Sequence, residues 1–330
     1  MRKKALIYGF IGRENFGDEL MLEIHSEILK ILGFEVYFTT NSMHFSDISD
    51  DYFFKNRLET NHDKMVFDLI LLGGGSLPLF FGSELILKYK TNKPECIIIG
   101  SSINEVLGKN ANYHNFTLEY YNNFFDGLIF RSDGNKEFKS KIKIPNIFLP
   151  DISTCLEYKS DNNKDKTAVI IRDTILHNKN LNIVLPKEPF EILIMSKTDE
   201  NFLHNLPNYS NIPILKIYNK QPKEQFRILK SYGRIMSIGR FHAALCGKEN
   251  PDNNCYLYPF IEHSYPIISH NTFLNWEEIK KLEQNQIDKD TENLLYSKTG
   301  TLMSEFYNYP SCKKEDYINF IDKIIKNKNL

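Results

Sequence analysis

Short, almost uninterrupted apolar runs recur along this 330-residue chain, and most stop at a glycine or a polar side chain. One series comprises Ala5–Phe10, Glu35–Thr39, Phe67–Leu72, Ile97–Gly100, Gly127–Phe130 and Asn146–Leu149. A second comprises Ala168–Ile171, Phe190–Met195, Ile214–Tyr218 and Ile235–Ile238. A strand with one wet face would alternate apolar and polar residues. Runs without alternation read as strands covered on both faces, which is the habit of parallel sheets with helices between the strands. Helical spacing fills several gaps: Leu20, Ile24, Ile28 and Leu32 recur until Gly33, and Pro222–Tyr232 begins with a proline suited to a first turn. Asn275–Gln286 and Lys314–Ile325 share that spacing, whereas Cys255–Ile261 reads as an edge strand because it contains Pro259.

Between Glu157 and Lys166 the chain turns polar, and the rhythm then starts again, so this stretch reads as a linker. The expectation is an α/β protein with mostly parallel sheets, an N-terminal Rossmann-like domain over 1–157 and a C-terminal one over 158–330. The final helix is expected to cross back onto the first domain.

Composition removes several classes. Apolar residues make up 42% and charged residues 25%, with a net charge of -1, an ordinary globular balance that gives no basic surface for nucleic acid. No apolar run reaches the roughly 18 residues of a membrane helix. The start is broken by Gly9, Gly12 and Arg13 before a signal-peptide core can form, which points to a cytoplasmic location. Five cysteines without a Cys-x-x-Cys pair imply neither a disulfide framework nor a zinc site. No metal and no cofactor is expected.

The residues that suggest chemistry lie where strands end. In Arg234–Gly247 an apolar strand passes through Gly239 into a helix-forming segment, placing Arg240 and His242 at the carboxyl edge of a sheet, where open α/β folds keep their ligands. A guanidinium holds a carboxylate or phosphate with two parallel bonds, and an imidazole exchanges protons near neutrality. The plainer alternative is a domain contact for Arg240 and an interior histidine. Only eight arginines occur among 41 basic residues, and Arg13, Arg131, Arg172 and Arg240 follow closely on apolar strands. That placement predicts a cleft lined for anions, or else buried ion pairs. After the first strand, Asn15-Phe-Gly-Asp-Glu19 follows a glycine turn that lacks both the dinucleotide and the Walker spacing. Asp18 reads as a helix N-cap. Three successive glycines, Gly73–Gly75, with Ser76 mark a place where backbone comes close to a ligand or another element.

Taken in order, Asn15-Phe-Gly-Asp-Glu19, Leu72-Gly-Gly-Gly-Ser-Leu77, Phe130-Arg131, Pro150-Asp151, Ile171-Arg172 and Arg240-Phe-His-Ala-Ala244 resemble the polysaccharide pyruvyl transferase family over about residues 5–270. The resemblance implies two Rossmann-like domains facing a cleft, as in GT-B glycosyltransferases. It implies phosphoenolpyruvate as donor, a nucleotide- or lipid-linked sugar of a surface polysaccharide as acceptor, and a cyclic pyruvate ketal as product. A lipid-linked acceptor would bring the protein to the membrane surface peripherally. Arg240, Arg131 and Arg172 would bind substrate with Asn15, Gly17, Gly74, Gly75 and Ser76; His242 would be the acid, and Asp18, Asp151 or Glu262 the base. The chain departs from the family pattern in lacking a Lys after Tyr258 and in having Ser-Asp-Gly-Asn after Arg131. Two other readings stand beside this one: a GT-B glycosyltransferase using a nucleotide sugar, and an inactive binding homologue.

Overall fold

The computed structural model describes residues 2–9, 11, 15–39, 65–73, 83–103, 111–131, 136–157, 163–172, 186, 189–206, 209–238, 240–247 and 310–328. The chain divides into two compact units, Met1–Leu156 with Pro310–Leu330, and Glu157–Tyr309.

In the first unit the elements are β1 (Lys4–Tyr8), α1 (Phe16–Ile31), β2 (Glu35–Thr39), β3 (Leu69–Leu72), α2 (Ser83–Asn92), β4 (Ile97–Ile103), α3 (Ala111–Phe124), β5 (Gly127–Phe130), α4 (Lys136–Ser140) and β6 (Asn146–Phe148). The strands form one parallel sheet in the order β2-β1-β3-β4-β5-β6. Every residue of β3, β4 and β5 is buried, which is why these segments read as continuous apolar runs. One core cluster joins Leu6, Ile70, Ile98, Leu128 and Phe130 to the aromatic rings of Tyr120, Tyr121, Phe125 and Phe138. From β1 the chain goes to β2 on one side and to β3 on the other, so direction reverses between β1 and β3. At such a switch point the carboxyl ends of neighbouring strands diverge and leave a crevice.

The last helix, α8 (Lys314–Asn327), crosses back to this first unit as expected, so the second unit ends at Tyr309 rather than at residue 330. Its apolar stripe explains the difference. Tyr317, Ile321, Ile324 and Ile325 are buried, the Tyr317 hydroxyl donates to the Pro150 carbonyl at 2.9 Å, and Ile324 covers Gly127 at the start of β5. Asp126 ties the same corner together by accepting from Lys90 (2.7 Å), Lys328 (2.8 Å) and the Ile98 amide (2.8 Å).

The second unit contains β7 (Asn163–Ile171), β8 (Phe190–Ile194), α5 (Lys197–Phe202), β9 (Ile214–Lys216), α6 (Pro222–Lys230), β10 (Tyr232–Ile238) and α7 (Phe241–Gly247). Its strands are parallel in the order β10-β7-β8-β9, around a core of Val169, Ile171, Ile192, Ile194 and Met236. Here the chain leaves β7 first toward β8 and β9, then returns to pair β10 on the opposite side. The switch point lies between β7 and β10.

Three local expectations are corrected. β7 begins at Asn163, inside the polar stretch read as linker, because its first residues pair with β10 in a ladder that needs no apolar side chains. β4 does not stop at Gly100, where the apolar run ends, but continues through Ser101 and Ser102 to Ile103, with Ser102 at φ 58 beside a register shift against β5. Asn15, not Asp18, occupies the N-cap of α1; Asp18 lies in the first turn and accepts from Asn15 Nδ2 at 2.6 Å. The expected strand Cys255–Ile261 and helix Asn275–Gln286 lie outside the described residues.

Candidate functional site

The switch point of the second sheet carries the arginines. Ile171 of β7 and Ile238 of β10 are register partners, and Arg172 and Arg240 follow them by one and two residues. Both guanidinium groups therefore start from the same end of the same pair of strands. Ser237 Oγ donates to the Arg240 carbonyl at 2.7 Å, closing the turn that leads into α7. From there the Arg240 side chain reaches the end of β8, where Nη2 donates to Ser196 Oγ at 2.9 Å and to Asp199 Oδ1 and Oδ2 at 2.6 and 2.7 Å. Since β7 stands between β10 and β8, that reach carries the guanidinium across the carboxyl end of β7, which bears Arg172. Ser196 also caps α5 by accepting from the Asp199 amide at 3.1 Å. His242 is the second residue of α7 and is buried, at 9% exposure.

The first unit gathers a second set of polar residues at the carboxyl edge of its sheet. Arg131, directly after β5, forms a buried ion pair with Asp151, three residues beyond β6, at 3.3 Å. The other oxygen of Asp151 accepts from the Ser153 amide (3.0 Å) and hydroxyl (2.7 Å), capping a 3₁₀ turn over Ile152–Cys155. Close by, His25 of α1 shares a hydrogen with Ser101 Oγ at 2.9 Å and packs so tightly on Gly73 that a Cβ there would meet the ring at 3.0 Å. Burial lowers the His25 pKa to about 4, with the Asp151 charge and the Met21 backbone pulling the other way, so the ring is neutral at pH 7. Ser102, fully buried, keeps an Oγ with no hydrogen-bond partner among the described residues.

Of the residues singled out from sequence, the structure brings Arg131 onto Asp151, Asn15 onto Asp18, and Arg172 to the strand beside Arg240. Gly17 is buried in the first turn of α1. Gly74, Gly75, Ser76 and Glu262 lie outside the described residues. Sequence reasoning missed Asp199, Ser196, His25 and Ser102. A signal existed for the first two: Ser196-Lys-Thr-Asp199 is a serine followed three residues later by an acid, directly after an apolar strand, which is a capping pattern.

The two α/β units, each with a parallel sheet and polar residues at its strand ends, have the fold class of the GT-B glycosyltransferases. Among solved structures the chain is similar to MurG of Acinetobacter baumannii, at 10% identity over 97% of this chain and 99% of that one, with a TM-score of 0.51. It is also similar, at TM-scores of 0.49, to an alpha-glucosyltransferase in complex with UDP and a 13-mer DNA (13% identity, 99% and 100% covered). The UDP-GlcNAc 2-epimerase from Methanocaldococcus jannaschii gives the same score (10% identity, 94% and 95% covered). At these identities the likeness to MurG is one of fold. No curated protein matches the sequence significantly. The profile of the polysaccharide pyruvyl transferases matches residues 15–282, and the chain belongs to that family. It is accordingly a member of a transferase family. Among the described residues no helix is long and apolar enough to cross a membrane.

Proposed function

We propose that the protein joins the three-carbon acid of phosphoenolpyruvate to two hydroxyls of a sugar as a cyclic ketal, releasing phosphate. The observation that supports this reading best is the placement of Arg172 and Arg240 at adjacent strand ends of the second sheet, with His242 two residues beyond Arg240. Phosphoenolpyruvate presents a carboxylate and a phosphate, and guanidinium groups suit both.

In this reading His242 gives a proton to the methylene carbon, which becomes the methyl group, and the central carbon turns electrophilic. A sugar hydroxyl adds there and loses its proton to a base; the phosphate departs with the bridging oxygen, and the second hydroxyl closes the ring as its proton leaves. Asp151 is engaged through both oxygens and has no exposed surface, so its task is to hold Arg131 and the turn after it. That leaves Asp18 and Glu262 as the proposed bases. The acceptor is a nucleotide- or lipid-linked sugar, and its chemistry takes place on the cytoplasmic side, at the membrane surface if the carrier is a lipid.

The test is steady-state phosphate release from phosphoenolpyruvate with a panel of such acceptors. His242→Ala is expected to abolish release while leaving the fold intact, and near-full turnover would remove His242 from the chemistry. Arg240→Lys is expected to raise the donor KM by about tenfold or more, the scale of one lost charge-assisted contact; an unchanged KM would remove Arg240.

A further inference from the structure

We propose that Asp199 is the positioning residue for Arg240, and that the contact Arg240 offers the donor is its Nε–H rather than a two-pronged edge. This rests on the reading of Arg240 as a donor ligand. Nη2 carries two hydrogens and faces three acceptors, both Asp199 oxygens and Ser196 Oγ, all within 2.9 Å. Both of its hydrogens are therefore engaged. A guanidinium grips an anion with parallel bonds along either of two edges, Nε with Nη2 or Nη1 with Nη2, and each edge needs an Nη2 hydrogen. While Asp199 holds Nη2, neither edge is open.

The Nε–H is a different matter: it is buried and has no hydrogen-bond partner among the described residues. A buried N–H of a charged group left unbonded is costly and uncommon, and it marks a place where a missing acceptor belongs. Asp199 is only 3% exposed in its side chain and Arg240 11%, so moving the carboxylate aside would strand a charge away from water. Its backbone is fixed by the Ser196 cap as well. The pair is thus a rigid mount. Asp199 sets the plane of the guanidinium over the end of β7, and the donor's carboxylate or phosphate supplies the acceptor for Nε.

The opposite role, a stand-in carboxylate that the donor displaces, gives the opposite result. With Asp199 as mount, Asp199→Asn raises the donor KM by about tenfold, with kcat changed less than about threefold. Ser196→Ala, which removes one Nη2 acceptor, shifts KM the same way by a smaller factor and serves if the first variant does not fold. Tighter donor binding in either variant would overturn the proposal.

A direct readout comes from the arginine Nε–H resonances of the full chain, only eight in number, with Arg240 assigned by its loss in Arg240→Lys. Phosphoenolpyruvate is expected to shift that signal in the wild type, and the shift to be lost in Asp199→Asn. A shift with a nucleotide sugar but not with phosphoenolpyruvate would uphold the mount and remove the donor assignment. An Arg240 signal moved by neither, while phosphate is still released from phosphoenolpyruvate, would overturn the mount and leave the donor assignment standing. A signal moved by neither with no release would overturn both.

Discussion

Replacing His25 with glutamine isolates a pH dependence that the fold itself creates. The ring lies fully buried on α1, hydrogen-bonded to Ser101, pressed on Gly73, and edge-on to Tyr317 with centroids 6.2 Å apart. Asp151 is the charged group that acts on it. Burial takes its pKa from 6.5 to about 4, because the hydration the imidazolium would lose outweighs what the Asp151 charge and the Met21 backbone return. As pH falls, the unfolded chain takes up this proton near 6.5, while the folded chain resists until about 4. The stability tied to the neutral ring is therefore complete above pH 6.5 and drains away between there and pH 4. The full difference is about 3 kcal/mol, at about 1.4 kcal/mol per unit, and about 2 kcal/mol of it is lost between pH 7 and 4.5. Urea denaturation across that range measures it. His25→Gln starts less stable at pH 7 but should fall by about 2 kcal/mol less than the wild type on reaching pH 4.5. Parallel curves would refute the reasoning.

Two further outcomes follow from packing. Asp151→Ala leaves the Arg131 guanidinium buried without its counter-ion and uncaps the turn at Ser153, and should cost about 3–5 kcal/mol by denaturant titration; a loss below about 1 kcal/mol would mean the pair is not held as described. Gly127→Ala drives a methyl group into Ile324 of α8 and should cost about 1–3 kcal/mol. Combining it with Ile324→Ala should cost less than the sum of the two, whereas additivity would show that the helix does not dock there.

The sheet edges were legible because buried parallel strands write themselves as apolar runs. β2 and β5 begin and end at the residues the sequence indicates, and Arg131, Arg172 and Arg240 do stand just past strands. What the sequence hides is pairing between distant residues. Nothing local says that Arg240 meets Asp199, 41 positions earlier, or that Arg131 meets Asp151. His25 sits on a helix whose buried face also includes Glu19 and Glu23, so its burial breaks the polar-out rule that spacing relies on. β7 began earlier than expected because backbone pairing with β10 holds Asn163 in the ladder whatever its polarity.

The central claim, an anion clamp in the second unit serving ketal formation, is tested most directly by following both products at once. Phosphate release from phosphoenolpyruvate and the mass of the acceptor sugar should be measured together in wild type and Arg240→Lys. The account predicts phosphate formed one for one with a sugar that has gained a pyruvate ketal, and loss of both at low donor concentration in the variant. Nucleotide released from a nucleotide sugar, with phosphoenolpyruvate untouched, would contradict it.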